Sequence, residues 1–342
     1  MDGSKSRKEK VISGIPQGSV LGPLMFLIFV ADMGNMADSK SFLYVDDAKV
    51  MEKINSEADI IDFQNNLDQF YQWAGENNMK YNDSKFVLLR YGSNNELKED
   101  YIYFSDSMNQ PIDDKEHQKD LGVIMSADGT FSQHIDTIVK KAKQKIGWIC
   151  RTFRTREKFF MKKMFVTYVR PHLDYCSQLW VPEEGPNMDK LEKVLYKFTN
   201  LIPEIRDLSY SNRLRALNIS SMQRRYDRYK IFYIKKILNK SVPNVGISIK
   251  HDSTHRNGLS LCVPSRKTSK LRNNSFQSVG PRIFNLLPKD LRNHTGSMES
   301  FKKVYDDFLS MIPDVPRLDL GSRLYSNTLE HQLSNWRWRI YT

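Results

Sequence analysis

Between residues 56 and 74, Ile60, Ile61, Leu67, Phe70, Tyr71 and Trp73 recur at helical spacing, and Gly75 stands where a C-terminal cap belongs. Ahead of this helix, Phe42-Leu43-Tyr44-Val45 is a short apolar run halted by Asp46-Asp47, and Lys49-Val50-Met51 returns as a second strand. The pattern predicts a hairpin with two carboxylates at its tip. Residues 86–89 and 101–104 are strand candidates, separated by a polar stretch holding Gly92, Asn94 and Asn95. From His134 the period becomes helical again: Ile135, Ile138, Val139, Ala142, Ile146, Ile149 and Phe153 mark one face. Further helices are predicted over 159–169, ended by Pro171; over 188–202, ended by Pro203; and over 222–238, ended near Pro243. Residues 241–274 are rich in Ser, Asn, Lys and Arg and read as a linker or long loop, after which 276–287 and 301–312 carry enough apolar residues for a small closing element. No repeat period stands out.

Charge divides the chain at the place where the period changes. Of 52 Lys plus Arg and 40 Asp plus Glu, residues 1–128 hold 13 and 22, a net of −9, and residues 129–342 hold 39 and 18, a net of +21. Residues 140–240 alone hold 24 basic and 9 acidic residues on the predicted helices. A hydrophobic content of 40% excludes a disordered chain, and 342 residues suggest about two domains. The longest apolar run, residues 24–31, is far short of the ~20 residues of a membrane-spanning helix, so an integral helical membrane protein is not expected. The charged N-terminus lacks the apolar stretch of a secretory signal, and three separated cysteines, Cys150, Cys176 and Cys262, make no disulfide framework. Both features fit an intracellular protein of the cytoplasm or nucleus.

Two stretches carry candidate chemistry. Adjacent acids at a hairpin tip bring like charges together where a cation, most naturally Mg²⁺, would favour them; an exposed, solvated turn is the plain alternative. Upstream, residues 13–26 read SGIPQGSVLGPLMF, with Gly14, Gly18 and Gly22 permitting close backbone approach and Gln17 and Ser19 offering hydrogen bonds; a turn before a core helix is the alternative here. Together, this loop and the box Tyr44-Val45-Asp46-Asp47 resemble the reverse transcriptases of non-LTR (LINE-type) retrotransposons, most closely the jockey-like group. The resemblance implies that Asp46 is the principal Mg²⁺ ligand and Asp47 its neighbour, and that Gln17, Gly18 and Ser19 contact nucleotide and template. It extends to Met79-Lys80-Tyr81-Asn82-Asp83-Ser84-Lys85, where Lys85 would lie near the leaving phosphate. It also takes in a primer-grip-like hairpin at residues 119–123, a thumb-like segment at 168–175, and tail-like residues 285–288 and 301–302.

The fold so implied is α+β, a partial polymerase palm with a small antiparallel sheet over residues 1–127, a helical thumb over 128–245 and a C-terminal extension over 246–342. The implied partners are an RNA template, a DNA primer and dNTPs. In the family, two Mg²⁺ ions align primer hydroxyl, triphosphate and pyrophosphate, and a third carboxylate comes from a palm strand upstream of the Pro-Gln-Gly loop. Only Asp2 and Glu9 precede Ser13, neither in a strand-like setting, so the sequence reads as N-terminally truncated, without that Asp, the fingers or the family's endonuclease, and with one apolar face of the palm left open. Two function classes follow: a polymerase fragment that is inactive alone, and a non-catalytic nucleic-acid-binding relic that uses the basic helices. An unrelated Mg²⁺-dependent phosphoryl-transfer enzyme is disfavoured by the lack of a P-loop or kinase signature. His251, His255 and Cys262 are too few for a zinc site of the usual Cys-rich spacing; Cys150 and Cys176 read as core thiols; and Trp336 and Trp338, interleaved with Arg337 and Arg339, either stack on bases or dock on the protein.

Overall fold

A computed structural model describes residues 14, 18–36, 39–92, 101–105, 108–250, 258–265, 274–320 and 326–340. They form helices and small two-stranded sheets, and contacts divide the chain into two compact units, residues 1–116 and 117–342.

In the first unit, the Ser56 hydroxyl accepts the Asp59 N–H at 3.4 Å while the Asp59 carboxylate accepts the Ser56 N–H at 2.9 Å, a reciprocal capping box that starts the long helix α2 (Glu57–Glu76). Gly75, expected as the cap, lies inside the helix. The ending falls to Asn77, whose Nδ2 donates to the Trp73 carbonyl at 2.9 Å, and to Asn78, which takes the left-handed conformation (φ +52°) that Asn tolerates. The short helix α1 (Gly22–Phe29) precedes it, followed by the antiparallel hairpin β1 (Lys40–Tyr44) and β2 (Asp47–Met51). Val30, Met33, Phe70, Trp73 and Ala74 form a small core against which Phe26 of α1, Val50 of β2, Met79 and Tyr81 pack. The strand expected over 86–89 appears shortened, and the one expected over 101–104 appears at full length one residue later. β3 (Val87–Leu88) pairs in parallel with β6 (Asp113–Asp114), and β4 (Ile102–Ser105) pairs antiparallel with β5 (Met108–Pro111). Gln64 fixes β4 to α2 by accepting the Ile102 N–H at 3.0 Å and donating to its carbonyl at 3.1 Å, as a neighbouring strand would. Leu24, Met25, Leu27, Ile28 and Phe29 of α1 are all exposed.

The second unit opens with the hairpin β7 (His117–Asp120) and β8 (Val123–Ser126) and then becomes helical. α3 (Ser132–Thr152) buries Ile135, Ile138, Val139, Ala142 and Ile149, the face its periodicity predicts. Pro171 does not end the next helix. α4 (Lys158–Met164) widens into a π turn at Phe165–Val169 and continues as α5 (Arg170–Asp174), with Pro171 at the second position of α5. A widened turn gives the proline ring room and asks no amide proton of it. After α6 (Ser177–Trp180) come α7 (Pro186–Thr199), α8 (Tyr210–Leu217) and α9 (Met222–Leu238). The expected closing element is α10 (Phe276–Leu286), α11 (Lys289–Arg292), α12 (Met298–Ser310), α13 (Arg317–Leu320) and α14 (Leu329–Ile340).

α9 crosses two hydrophobic cores. Met222 and Tyr226 pack with residues of α3 to α8, and Ile231, Phe232, Ile234 and Ile237 pack with residues of α10, α12 and α14. Its buried polar groups are met by distant chain. Lys230 pairs with Glu183 and, at 3.2 Å, with Asp227; burial alone would lower its pKa, but the two carboxylates push it up to about 12. Asp227 also accepts the Leu329 N–H at 2.8 Å, and Arg224 donates to the carbonyls of Ile312 (3.3 Å) and Pro313 (2.8 Å). Asp314 accepts the Ser221 N–H at 2.8 Å at the start of α9, and Asp319 accepts the Tyr210 and Ser211 amides, both at 2.8 Å, at the start of α8. Asp314 and Asp319 thus supply acceptors for amides at the starts of α9 and α8 that the helices themselves leave unpaired. Glu192 of α7 is fully enclosed. Burial pushes its carboxyl up to about 7, although Tyr210 Oη and the Met222 and Gln223 amides donate to it.

Two expectations follow for stability. Lys230→Ala leaves two buried carboxylates without their cation and lowers the unfolding free energy by about 3–5 kcal/mol; a change below about 1 kcal/mol in urea denaturation would show the pair to be dispensable. Because Glu192 holds its proton in the folded state up to about pH 7 but loses it near 4.5 when unfolded, its contribution is fully present below about 4.5 and is lost as pH rises towards 7. Stability therefore falls over that window by at most ~1.4 kcal/mol per pH unit from this group, and Glu192→Gln flattens the fall in denaturation curves taken between pH 4.5 and 7.

Candidate active site and nucleic-acid faces

The hairpin register pairs Tyr44 with Asp47, which leaves Val45 and Asp46 as a two-residue turn. Asp46 is therefore the second turn residue and Asp47 the first of β2, and both are exposed. Val45 has φ +57°, a left-handed conformation that its branched side chain disfavours by about 1–2 kcal/mol. The hairpin is held from behind: Ser41 Oγ donates to the Gly34 carbonyl at 3.1 Å, and Leu43 Cδ1 lies 3.5 Å from where a Gly34 Cβ would stand. Since Met33 and Val50 share the small core with Phe26 and Trp73, α1, the hairpin and α2 are positioned by one cluster.

Of the loop residues, Gly18 has φ +84° with open space around it, a conformation that suits glycine. Ser19 Oγ accepts the Gly22 N–H at 3.0 Å, so this hydroxyl fixes the start of α1. Gln17 lies outside the described residues, as do His251 and His255. Lys85 closes a 3-10 turn, Asp83–Lys85, after α2; its N–H donates to the Asn82 carbonyl at 2.9 Å and its side chain is exposed. Residues 18–19 and 46–47 are thus brought into one unit through a shared core, and Lys85 belongs to the same unit by way of the Tyr81 contact with that core. Among the described residues no three His, Cys, Asp or Glu side chains converge on a metal position. Asp46 and Asp47 are two exposed carboxylates on neighbouring residues, fewer than an all-protein cation cage needs.

The second unit presents its charge in a groove. α3 and α7 flank a space of about 640 Å³ lined by Lys140, Lys143, Gly147 and Arg151 on one side and Lys190, Lys193 and Lys197 on the other. At one end Lys190 is paired with Asp136 at 2.6 Å. The groove was not legible in the sequence, because it needs α7 to be laid against α3; the net charge of residues 140–240 was its signal. The β7–β8 turn, Leu121 (φ +43°) and Gly122 (φ +89°), is pinned by Tyr175 Oη donating to the Leu121 carbonyl at 2.8 Å, and a Cβ on Gly122 would stand 3.2 Å from the Tyr175 ring. Cys150 and Cys176 are half-buried and Cys262 is exposed, all as free thiols. No described helix is long and apolar enough to cross a membrane.

Residues 1–125 match the family described as reverse transcriptase (RNA-dependent DNA polymerase). The chain is 27% identical over 214 residues to the RNA-directed DNA polymerase from mobile element jockey of Drosophila funebris, a stretch that is 59% of this chain and 23% of that protein. It is 28% identical over 211 residues to the probable RNA-directed DNA polymerase from transposon X-element of Drosophila melanogaster, covering 58% of this chain and 22% of the relative. The chain spans less than a quarter of the length of these relatives. A stretch covering 59% of 342 residues cannot fit within the first 125, so the similarity reaches into the helical unit. No solved structure matches the chain.

Val45→Gly removes the Cβ that opposes the left-handed turn, and protection of the β1–β2 amides against hydrogen exchange should rise or stay level. Val45→Pro fixes φ near −65° and should abolish that protection. Equal protection in both variants would mean that the turn residue does not set the hairpin.

Proposed function

We propose that this chain, which carries a reverse transcriptase domain over residues 1–125 and is similar to the RNA-directed DNA polymerases of the jockey and X-element non-LTR retrotransposons, is a segment of an RNA-directed DNA polymerase. The observation that carries this reading is the two-residue turn that sets Asp46 and Asp47 side by side on an exposed tip within the matched segment. In this reading residues 1–127 act as a partial palm, 128–245 as the thumb and 246–342 as a C-terminal extension. Asp46 and Asp47 hold Mg²⁺, which when bound supplies charge stabilisation for joining a primer 3′ oxygen to the α-phosphorus of a dNTP with release of pyrophosphate. Gln17, Gly18 and Ser19 border the nucleotide, and Lys85 offers its ammonium to the leaving phosphates. RNA template, DNA primer and dNTPs are the partners, in an intracellular setting.

Among the described residues no three carboxylates converge on a metal position, and in-line transfer depends on tightly positioned charge. The 342-residue polypeptide by itself therefore polymerises poorly. The α3–α7 groove favours a second role that survives without catalysis, binding nucleic acid through its lysines. The two separate in one experiment on the purified chain, combining primer extension on an RNA template in Mg²⁺ with binding measured at several salt concentrations. We expect trace extension at most, and binding whose logarithmic salt slope shrinks by about 0.9 for each groove lysine replaced by Glu if the ligand is duplex. Robust synthesis abolished by Asp46→Ala would overturn the weak-polymerase reading, and salt-insensitive binding would remove the groove from it.

A further inference from the structure

A second face of α3 carries a different chemistry from the groove. Lys141, Lys145 and Trp148 stand at i, i+4 and i+7 along it, and Tyr168 of the π turn, His172 of α5 and Tyr175, the residue that follows α5, repeat that spacing in number. The two rows lie side by side and antiparallel. The Trp148 and Tyr168 rings meet edge to face with centroids 5.3 Å apart, while His172 feels Lys145 and Lys141, whose charges, after burial, hold its pKa below the usual value. Lys145 Nζ lies 6.0 Å from the Trp148 ring centre. At the far end the Tyr175 ring is fixed by its bond to Leu121 and its contact with Gly122.

These rings keep exposed surface beyond the contacts that Trp148 makes with Phe153 and Tyr168 and that Tyr175 makes with Leu121 and Gly122. Phe165 and Val169, on the same π turn, are buried in the core, whereas Trp148, Tyr168 and Tyr175 remain 37%, 40% and 55% exposed. The π turn shifts the helical phase, so that Tyr168 points outward between two buried residues. From Tyr168 to Tyr175 the helix advances roughly 10 Å, room for two or three unstacked nucleotides.

We propose that this face, with Trp148, Tyr168 and Tyr175 as stacking surfaces and Lys141 and Lys145 as phosphate contacts, is a binding platform for an unpaired nucleic-acid strand. The proposal rests on the nucleic-acid reading above and deepens it by assigning single strand and duplex to different faces of α3. Bases of a duplex are already stacked on one another and present only their edges, so exposed rings are of use to splayed bases alone. The adjacent lysines supply the complementary charge that an apolar protein ligand would not require.

The test uses the full chain with a fluorescein-labelled 15-nucleotide oligothymidylate and a 15-base-pair duplex. Trp148→Ala with Tyr168→Ala should weaken oligothymidylate binding by about tenfold or more and duplex binding by less than twofold, and Trp148→Phe with Tyr168→Phe should restore most of the loss. In parallel, a 5-iodouracil-substituted strand irradiated on the unaltered protein should crosslink to peptides holding Trp148, Tyr168 or Tyr175; this readout stands even if the alanine variant does not fold. Single-strand affinity unchanged in a folded alanine variant, equal losses on both ligands, or crosslinks confined to the α3–α7 groove would overturn the platform while leaving nucleic-acid binding intact. If the unaltered chain binds neither ligand, the platform and the nucleic-acid reading of the helical unit fall together.

Discussion

Everything in the helical unit depends on α9 having its charges neutralised out of water. Arg224, Asp227 and Lys230 are almost wholly buried, and an unpaired charge in such a place costs several kcal/mol. None of them is satisfied by its own helix alone. Lys230 needs Glu183, Arg224 needs the carbonyls of Ile312 and Pro313, and Asp227 meets the amide of Leu329. Each requirement draws in a segment away from α9, so Glu183, residues 312–313 and Leu329 close on α9 together or leave a buried charge bare. This coupling makes two hydrophobic cores, one at each end of α9, into a single body.

The first unit is built on a smaller margin. Its main cluster is five buried residues, its sheets are pairs of short strands, and α1 shows apolar side chains in all directions. A helix apolar all round is of the kind that proteins bury on every side. The candidate chemistry sits on this lightly held frame, at a hairpin whose turn residue is itself strained. Strain at a two-carboxylate tip is maintained only where the flanking strands over-determine the turn, and here they do so through five residue pairs and the anchor from Ser41 to Gly34.

Local features were legible in the sequence, and those that depend on a distant partner were not. The Asp46-Asp47 hairpin and the buried face of α3 follow from period and turn chemistry within a few residues. Pro171 was misread because a π turn, which depends on how Phe165 and Val169 reach the core, lets the helix pass it; Gly75 was misread because two asparagines downstream end α2 equally well. The burial of Lys230 is not legible in the sequence, since nothing near it in the chain announces Glu183, 47 residues away. Of the candidate site, the motif residues were legible; the aromatic row was not, because it exists only once α3 lies against the π turn.

The division of labour between the units has a physical consequence for what each tolerates. Polyanion binding is a sum over many weak, screened contacts, so losing one of the five lysines and one arginine of the groove would change the total by a fraction. Phosphoryl transfer has no such redundancy, because an ångström of displacement in a carboxylate costs orders of magnitude in rate. On the proposed reading the basic unit would act through charge displayed on two faces of one helix, whereas the acidic unit would have to hold two particular side chains at the tip of one turn. On that reading nucleic-acid affinity would be the robust property and catalysis the fragile one, because loosening the β1–β2 hairpin would remove the second long before it touched the first.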